Sequence, residues 1–88
     1  MNKRMRMKRR QAERKKIHKI LDLAMEKNKE NPTVFLEFSG HVNSLHVSVH
    51  RCGWEPWVKS DKEFRVYLNK HFRVNESLDD IISYLEEL

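Results

Sequence analysis

Residues 33–50 read TVFLEFSGHVNSLHVSVH and contain two runs in which apolar and polar side chains alternate. In the second run, Leu45, Val47 and Val49 fall on one face, while serine and histidine residues fall on the other. A period of two is typical of a half-buried strand, and residues 40–43 between the runs include a glycine and an asparagine. This stretch therefore predicts a β-hairpin formed by strands over 33–39 and 43–50.

Helices are predicted on both sides of the hairpin, and a third strand follows it. Residues 3–29 contain no Gly or Pro, and their second half repeats apolar side chains at the spacing of an amphipathic helix. These side chains are Ile17, Ile20, Leu21 and Ala24. The helix is expected to end before Pro32. Residues 63–68 alternate as a strand, and Ser77 is expected to cap a second helix that runs to residue 88.

The predicted order is α-β-β-β-α, which indicates an α+β fold with a three-stranded antiparallel sheet packed on one face by two helices. Residues 17–88 are expected to form a single small domain, preceded by a basic helical arm over residues 1–16. The strands are expected to contribute these core residues: Val34, Leu36, Phe38, Leu45, Val47, Val49, Phe64, Val66 and Leu68. The helices are expected to add Ile17, Ile20, Leu21, Ala24, Leu78, Ile81, Ile82 and Leu85.

Charge is distributed unevenly along the 88 residues, whose formal net charge is +5. Residues 1–19 carry +9, residues 20–75 carry +1 and residues 76–88 carry −5. The basic arm is open to three interpretations: it binds phosphates, it pairs with the acidic segment of its own or another chain, or it is a solvated extension. The candidate residues for contact with nucleic acid or an acidic partner are Lys8, Arg9, Arg10, Arg14, Lys15 and Lys16.

Two tryptophans, Trp54 and Trp57, lie close together around Pro56. They are open to a structural interpretation, in which they close the end of the sandwich against Phe72 and Val74, and to a functional one, in which they anchor a partner. The sheet face opposite the helices also carries candidate partner-binding residues. These are Phe35, His46, Arg65 and Tyr67, with His50 beside them.

The five histidines and Cys52 raise the question of a metal site or a catalytic centre. His46 and His50 share a strand face but are about 13 Å apart, which is too far for one zinc ion. His50 is a potential base for Cys52, but a lone cysteine in a turn is more often a small packing residue. We therefore predict neither an enzyme nor a cofactor or metal.

The single cysteine excludes an internal disulfide and is typical of a reducing compartment. No apolar run approaches the roughly 20 residues of a membrane span, and no apolar stretch follows the basic N-terminus as in a signal peptide. A cytoplasmic protein that does not enter the membrane is expected. A homodimer is plausible, because the edge strands are open and the basic helix of one chain complements the acidic helix of another.

Two resemblances add to this interpretation. The opening MNKRMRMKRR, followed by a short domain containing tryptophan, resembles small uncharacterised accessory proteins of phages and prophages of Gram-positive bacteria. That resemblance implies a small binder that blocks or redirects a host process. The element order over residues 17–88 is similar to that of the double-stranded-RNA-binding domain. The second helix of that family begins with lysines, whereas here Glu76, Asp79 and Asp80 would repel phosphates.

The sequence thus leads to two functional hypotheses. In the first, the protein is a non-enzymatic accessory protein that contacts a macromolecular partner through the open sheet face and the tryptophan loop, with electrostatic attraction from the basic helix. In the second, it is a nucleic-acid-binding protein whose basic helix contacts phosphates. The sequence does not decide between a protein partner and nucleic acid.

Overall fold

A computed structural model describes residues 3–29, 32–68 and 73–88, with side chains in the first helix from residue 11 onward. The elements are helix α1 (Lys3–Lys27), strands β1 (Thr33–Ser39), β2 (Ser44–His50) and β3 (Lys62–Tyr67), and helix α2 (Val74–Glu86). The strands form one antiparallel sheet in the order β1-β2-β3. This architecture confirms the predicted α+β fold and its α-β-β-β-α order.

The sheet register separates the two faces as the alternating sequence predicts. In β2, the central strand, Val47 lies opposite Leu36 of β1 and Phe64 of β3 on the face that meets the helices. On the outer face, His46 lies between Glu37 and Arg65. The described part of the chain places both helices against the inner face: α1 packs on β1 and on α2, and α2 packs on β3.

The core lies between this sheet face and the two helices. Ile20 of α1, Val47 and Val49 of β2, and Leu78 and Ile81 of α2 are completely buried. Burying a side chain of this size contributes roughly 1.5–3 kcal/mol to stability. The remaining members of the core are Ala24, Val34, Leu45, Val66, Val74, Ile82 and Leu85.

Two residues predicted in the core are exposed instead. Phe38 is 57% exposed, because it lies near the turn end of an edge strand where only β2 flanks it within the sheet. Leu21 is 42% exposed, and Leu23 packs against the core in its place. The reason is the position of α2: Leu23 shares the flank of α1 on which Lys16 and Lys27 contact α2, whereas Leu21 lies roughly 160° away around the helix.

The boundaries of the later elements also differ from the prediction. α2 begins at Val74, three residues before the expected cap Ser77, and Arg73 is the residue that precedes the helix, in a left-handed conformation with φ 58°. The first turn forms there because Val74 is buried in the core. β3 covers Lys62–Tyr67 and so begins one residue earlier than expected.

The expected packing of the tryptophans on Phe72 involves a residue that lies outside the described residues.

Helices α1 and α2 run in the same direction and are joined by polar contacts along their length. Lys16 forms an ion pair with Asp79 at 3.1 Å, and near the other end Lys27 Nζ donates to the carbonyl oxygen of Leu88 at 3.1 Å. Glu13, one turn before Lys16, is buried. The contacts between α1 and the rest of the domain therefore begin before residue 17, within the segment predicted to be an arm.

Asn28 connects the end of α1 to the start of the sheet. Its side-chain amide donates to the Val34 carbonyl at 2.9 Å and accepts from the Val34 N–H at 2.7 Å. Backbone groups of an edge strand that point away from the sheet need partners outside it. The Asn28 amide therefore makes the two hydrogen bonds to Val34 that a neighbouring strand would make, and it fixes the position of β1 relative to the end of α1.

Candidate binding surfaces

The loop between β2 and β3, residues 51–61, is held at four points. Its ends are fixed by backbone hydrogen bonds from Gly53 N to the His50 oxygen at 3.2 Å and from Asp61 N to the Val49 oxygen at 2.8 Å. Asp61 also accepts a hydrogen bond from Arg51 N at 2.7 Å. In the middle, Trp54 N donates to the Thr33 hydroxyl at 3.1 Å. The loop is thus attached both to the strands it joins and to β1.

A tight turn at residues 55–58 presents the second tryptophan. Val58 N donates to the Glu55 carbonyl at 3.4 Å, so Pro56 and Trp57 are the two central residues. Trp57 has φ 72°, in the left-handed region that side chains other than glycine rarely adopt. Proline followed by a residue of positive φ is the pattern of a type II turn, in which glycine normally occupies the position held here by Trp57.

The side chains of this loop are directed into solvent. Trp57 is fully exposed, and Trp54 and Val58 are each 55% exposed. In the structural interpretation, Phe72 and Val74 cover the two tryptophans; Trp57 is not covered, and the packing on Phe72 lies outside the described residues. Trp54, Trp57 and Val58 form what we call the Trp loop surface, an apolar surface without a partner in the described part of the chain.

The outer sheet face does not bring its four candidate residues into one aromatic platform. Phe35 lies at one end, where its ring meets His50 edge-on at a centroid distance of 5.7 Å, and His50 is buried rather than open as expected. Tyr67 lies at the other end, opposite Ser44. The Phe35 partner in β2 is four residues from the Tyr67 partner, a separation of about 13 Å.

Between these two ends the outer face is charged. His46 lies directly opposite Arg65, and His46 Nε2 is 3.4 Å from the carboxylate of Glu63. Phe35, Arg65 and Tyr67 are exposed, whereas His46 is half-buried. Of this set, Phe35 lies nearest the Trp loop surface, because it is two residues along β1 from Thr33, to which Trp54 is bonded.

The candidate basic residues fall into three groups. Arg14 and Lys15 are exposed, and no ion pair of either is found among the side chains that the structure describes. Lys16 is half-buried and paired with Asp79. The side chains of Lys8, Arg9 and Arg10 lie outside the described residues, although their backbone belongs to α1.

A cluster at the start of the loop connects it to α2. Arg51 Nε donates to the Tyr84 hydroxyl at 3.0 Å, and the Tyr84 ring meets the Phe64 ring edge-on at a centroid distance of 5.5 Å. The hydrogen bond that Arg51 donates to the Tyr84 hydroxyl raises the pKa of the Arg51 guanidinium above its ordinary value, with smaller contributions in the same direction from Asp61 and Glu87. Arg51 therefore remains charged and holds the loop against α2.

Other features of the described residues bear on the sequence-based expectations. Cys52 is exposed in the loop. No group of three or more metal-ligating side chains is found in residues 3–29, 32–68 and 73–88. Within the same ranges, none of the helices combines the length and the apolar character that crossing a membrane requires.

Sequence reasoning missed two residues of the Trp loop surface and its support. Val58, which lies outside the predicted strand over 63–68, closes the turn and is exposed. Thr33 was assigned only to a strand, yet its hydroxyl holds the Trp54 backbone. The available signal was Pro56, which favours the first central position of a turn and so indicated that the residues on either side were not in a strand.

Comparison with models of known protein families, with curated proteins and with solved structures yields no match for this chain.

Proposed function

We propose that the protein is a non-enzymatic accessory protein that binds a protein partner through the Trp loop surface. The observation that carries this proposal is Trp57, which is fully exposed and also held at φ 72° in a turn position suited to glycine. Exposing a large aromatic ring forgoes its burial, and a left-handed backbone costs a further 1–2 kcal/mol or so. Neither cost is offset by a contact within the described residues.

A partner that buries the ring would offset both costs. Tryptophan is enriched among the few residues that dominate the free energy of protein association, and such residues cluster where neighbouring apolar side chains exclude water. Trp54 and Val58 supply those neighbours, and the loop is held at four points before binding. A fixed loop loses little conformational entropy on binding, which favours affinity.

Phe35 and the charged centre of the outer sheet face extend this surface along β1. Arg65 and Glu63 are exposed there, so the neighbouring area is polar, as at the rim of a protein interface. The basic α1 would accelerate encounter with an acidic partner, because net charge acts over distances of about 8 Å at physiological salt.

The experiment places a photo-crosslinking amino acid at Val58 of the full-length protein in the cells that express it. We expect one crosslinked partner that is absent when the same crosslinker is carried in the W57A background. A crosslinker at Met25, which is 62% exposed on α1, is the matched control and should not capture that partner. For the purified partner, W57A should weaken binding by at least about thirtyfold, the loss of 2 kcal/mol that marks a dominant interface residue.

Equal capture with and without Trp57 would contradict the proposal, since the crosslink would then report proximity rather than anchoring. An affinity of W57A within threefold of the unmodified protein would do the same.

A further inference from the structure

The outer face of α1 carries a set of polar and basic side chains that the Trp loop surface does not involve. Its members follow the spacing i, i+3, i+4, i+7, i+8, i+11 and so lie on one side of the helix, opposite the buried Ile20 and Ala24. They line an open, shallow depression of about 490 Å³: Gln11, Arg14, Lys15, His18, Lys19 and Asp22. We call this set the α1 outer face.

The acidic helix neutralises only one flank of α1. Asp79 pairs with Lys16 at 3.1 Å, and Glu86 lies 3.9 Å from Lys19. Arg14 lies on the opposite side of α1 from Lys16, and Lys15 lies one turn before Lys19; both are exposed, and no acidic side chain pairs with either among those described. The positive charge at the centre of the α1 outer face is therefore available to a ligand.

At its basic end, α1 also extends past the start of α2. Asp79 lies beside Lys16, and α2 begins five residues before Asp79, so its start is level with about residue 11 of α1. The helical backbone of α1 continues from there back to Lys3, a further distance of about 12 Å. The sequence of residues 3–10 contains six bases and no acid. The backbone of α1 thus continues past the start of α2 through a segment that is basic in sequence.

We infer that the α1 outer face binds the phosphate backbone of duplex nucleic acid. Phosphate binding requires only a row of cations, because each cation placed on a phosphate releases a condensed counterion. A helix that docks into a protein groove needs apolar anchors at i, i+3, i+4 and i+7, and every residue of the α1 outer face is polar. A helix that lies in a lipid surface likewise needs an apolar side.

The large exposed apolar side chains of α1, Leu21 and Met25, share the side of the helix that carries Arg14 and His18, but they lie farther along it. Leu21 and Met25 come after Lys19, the last base of the face, and so lie toward the end of α1 that adjoins β1. A duplex that follows the bases toward residue 3 does not meet them. The described residues of the basic segment therefore offer phosphates a surface without an apolar interruption.

This site and the Trp loop surface lie toward opposite ends of a molecule that measures 47 × 22 × 18 Å. Trp54 is bonded to Thr33, just beyond the C-terminal end of α1, whereas Arg14 lies 13 residues before that end, or about 20 Å along the helix. A protein partner and a duplex can consequently be bound together. The inference does not depend on the Trp loop, since the two sites share no residue.

The test is fluorescence anisotropy of labelled 20-base-pair duplexes, one DNA and one RNA and each in two unrelated sequences, titrated with the full-length protein at several salt concentrations. The variant R14Q/K15Q removes two charges from the α1 outer face. K29Q/K59Q is the matched control, because it removes two charges from exposed lysines that lie beyond the C-terminal end of α1. Circular dichroism and thermal unfolding establish that both variants remain folded.

If the shape of the duplex matters little, the dissociation constants of the intact protein for all four duplexes should lie within about fivefold of one another. A preference for DNA or for RNA would identify the natural source of the phosphates. R14Q/K15Q should reduce the slope of log K against log salt by about 1.8 for duplex DNA. That corresponds to about 60-fold weaker binding at 0.1 M salt if the two proteins bind alike at 1 M. K29Q/K59Q should keep the slope within about 0.5 of the intact protein.

Three results would overturn the inference. Absence of binding to any duplex at 0.1 M salt is the first. Equal loss in R14Q/K15Q and K29Q/K59Q is the second, because binding would then follow net charge and not this face. The third is displacement of the duplex by polyglutamate as effectively as by unlabelled duplex at equal charge, which would assign the face to an acidic protein. None of these results bears on the role of Trp57.

Discussion

Replacing Trp57 by glycine is expected to stabilise the isolated domain while removing its proposed anchor. Trp57 occupies the second central position of the 55–58 turn with φ 72°, and its side chain is fully exposed. Glycine adopts this backbone conformation without a steric cost. Because the ring buries no surface in the described fold, W57G loses no hydrophobic contact there.

The magnitude follows from two opposing terms. Relief of the left-handed conformation contributes about 1–2 kcal/mol to stability, and the greater freedom of glycine in the unfolded chain costs about 0.4–1 kcal/mol. The two ranges leave a net stabilisation of about 0–1.6 kcal/mol, with a central value near 0.8 kcal/mol. In a domain of this size each kcal/mol changes Tm by roughly 4–8 °C, so the central value corresponds to a rise in Tm of about 3–6 °C.

The assay is urea unfolding followed by far-ultraviolet circular dichroism, which does not depend on the fluorescence of the ring that is removed. W57A is the control, because it deletes the same exposed ring but keeps a Cβ at positive φ. Its free energy of unfolding should lie within about 0.5 kcal/mol of the unmodified protein. A decrease of more than 0.5 kcal/mol for W57G would refute the reasoning, since it would show that Trp57 packs against the domain.

Three further outcomes test the packing that positions the two surfaces. N28A removes both hydrogen bonds to Val34 and should lower the free energy of unfolding by about 1–3 kcal/mol, measured in urea; an unchanged midpoint would mean that the bonds contribute nothing net. L45A in the central strand should lower it by about 2–5 kcal/mol, and a loss below 1 kcal/mol would contradict the observed burial. A double-mutant cycle on Lys16 and Asp79 should give a coupling energy of about 0.2–1 kcal/mol that disappears in 1 M salt, and coupling that persists there would require a pair shielded from solvent.

The hairpin was predictable because its alternation depends on local geometry alone. With a period of two, Leu45, Val47 and Val49 must share one face, and the structure buries all three. The choice between Leu21 and Leu23 was not local. Either residue completes a helical stripe with Ile20 and Ala24, and only the position of α2 decides that Leu23 makes the contact.

The start of α2 and the exposure of the tryptophans also could not be predicted from the neighbouring sequence, because contacts with distant residues decide them. Ser77 has the chemistry of a helix cap, but burial of Val74 extends the helix by a turn toward its N-terminus. Tryptophan is an apolar residue that is highly buried on average, so pattern alone favours packing of Trp54 and Trp57 against the core. What places them in solvent is the set of hydrogen bonds that Thr33, Glu55 and Asp61 accept from backbone N–H groups of the loop, and pattern alone does not identify these acceptors.

In the fold, some basic side chains of α1 form ion pairs with acids of α2, and others have no ion pair among the described side chains. The two acids of α2 that approach α1 meet Lys16 and Lys19 within the same chain. Pairing of α1 with α2 of a second copy would have to break these contacts to form equivalent ones, so it offers little gain in free energy. Arg14 lies on the opposite side of α1 from Lys16, Lys15 lies one turn before Lys19, and neither has an ion pair among the described side chains. The unpaired charge of these two residues therefore faces solvent on one helix, which is the arrangement that the proposed contact with phosphates requires.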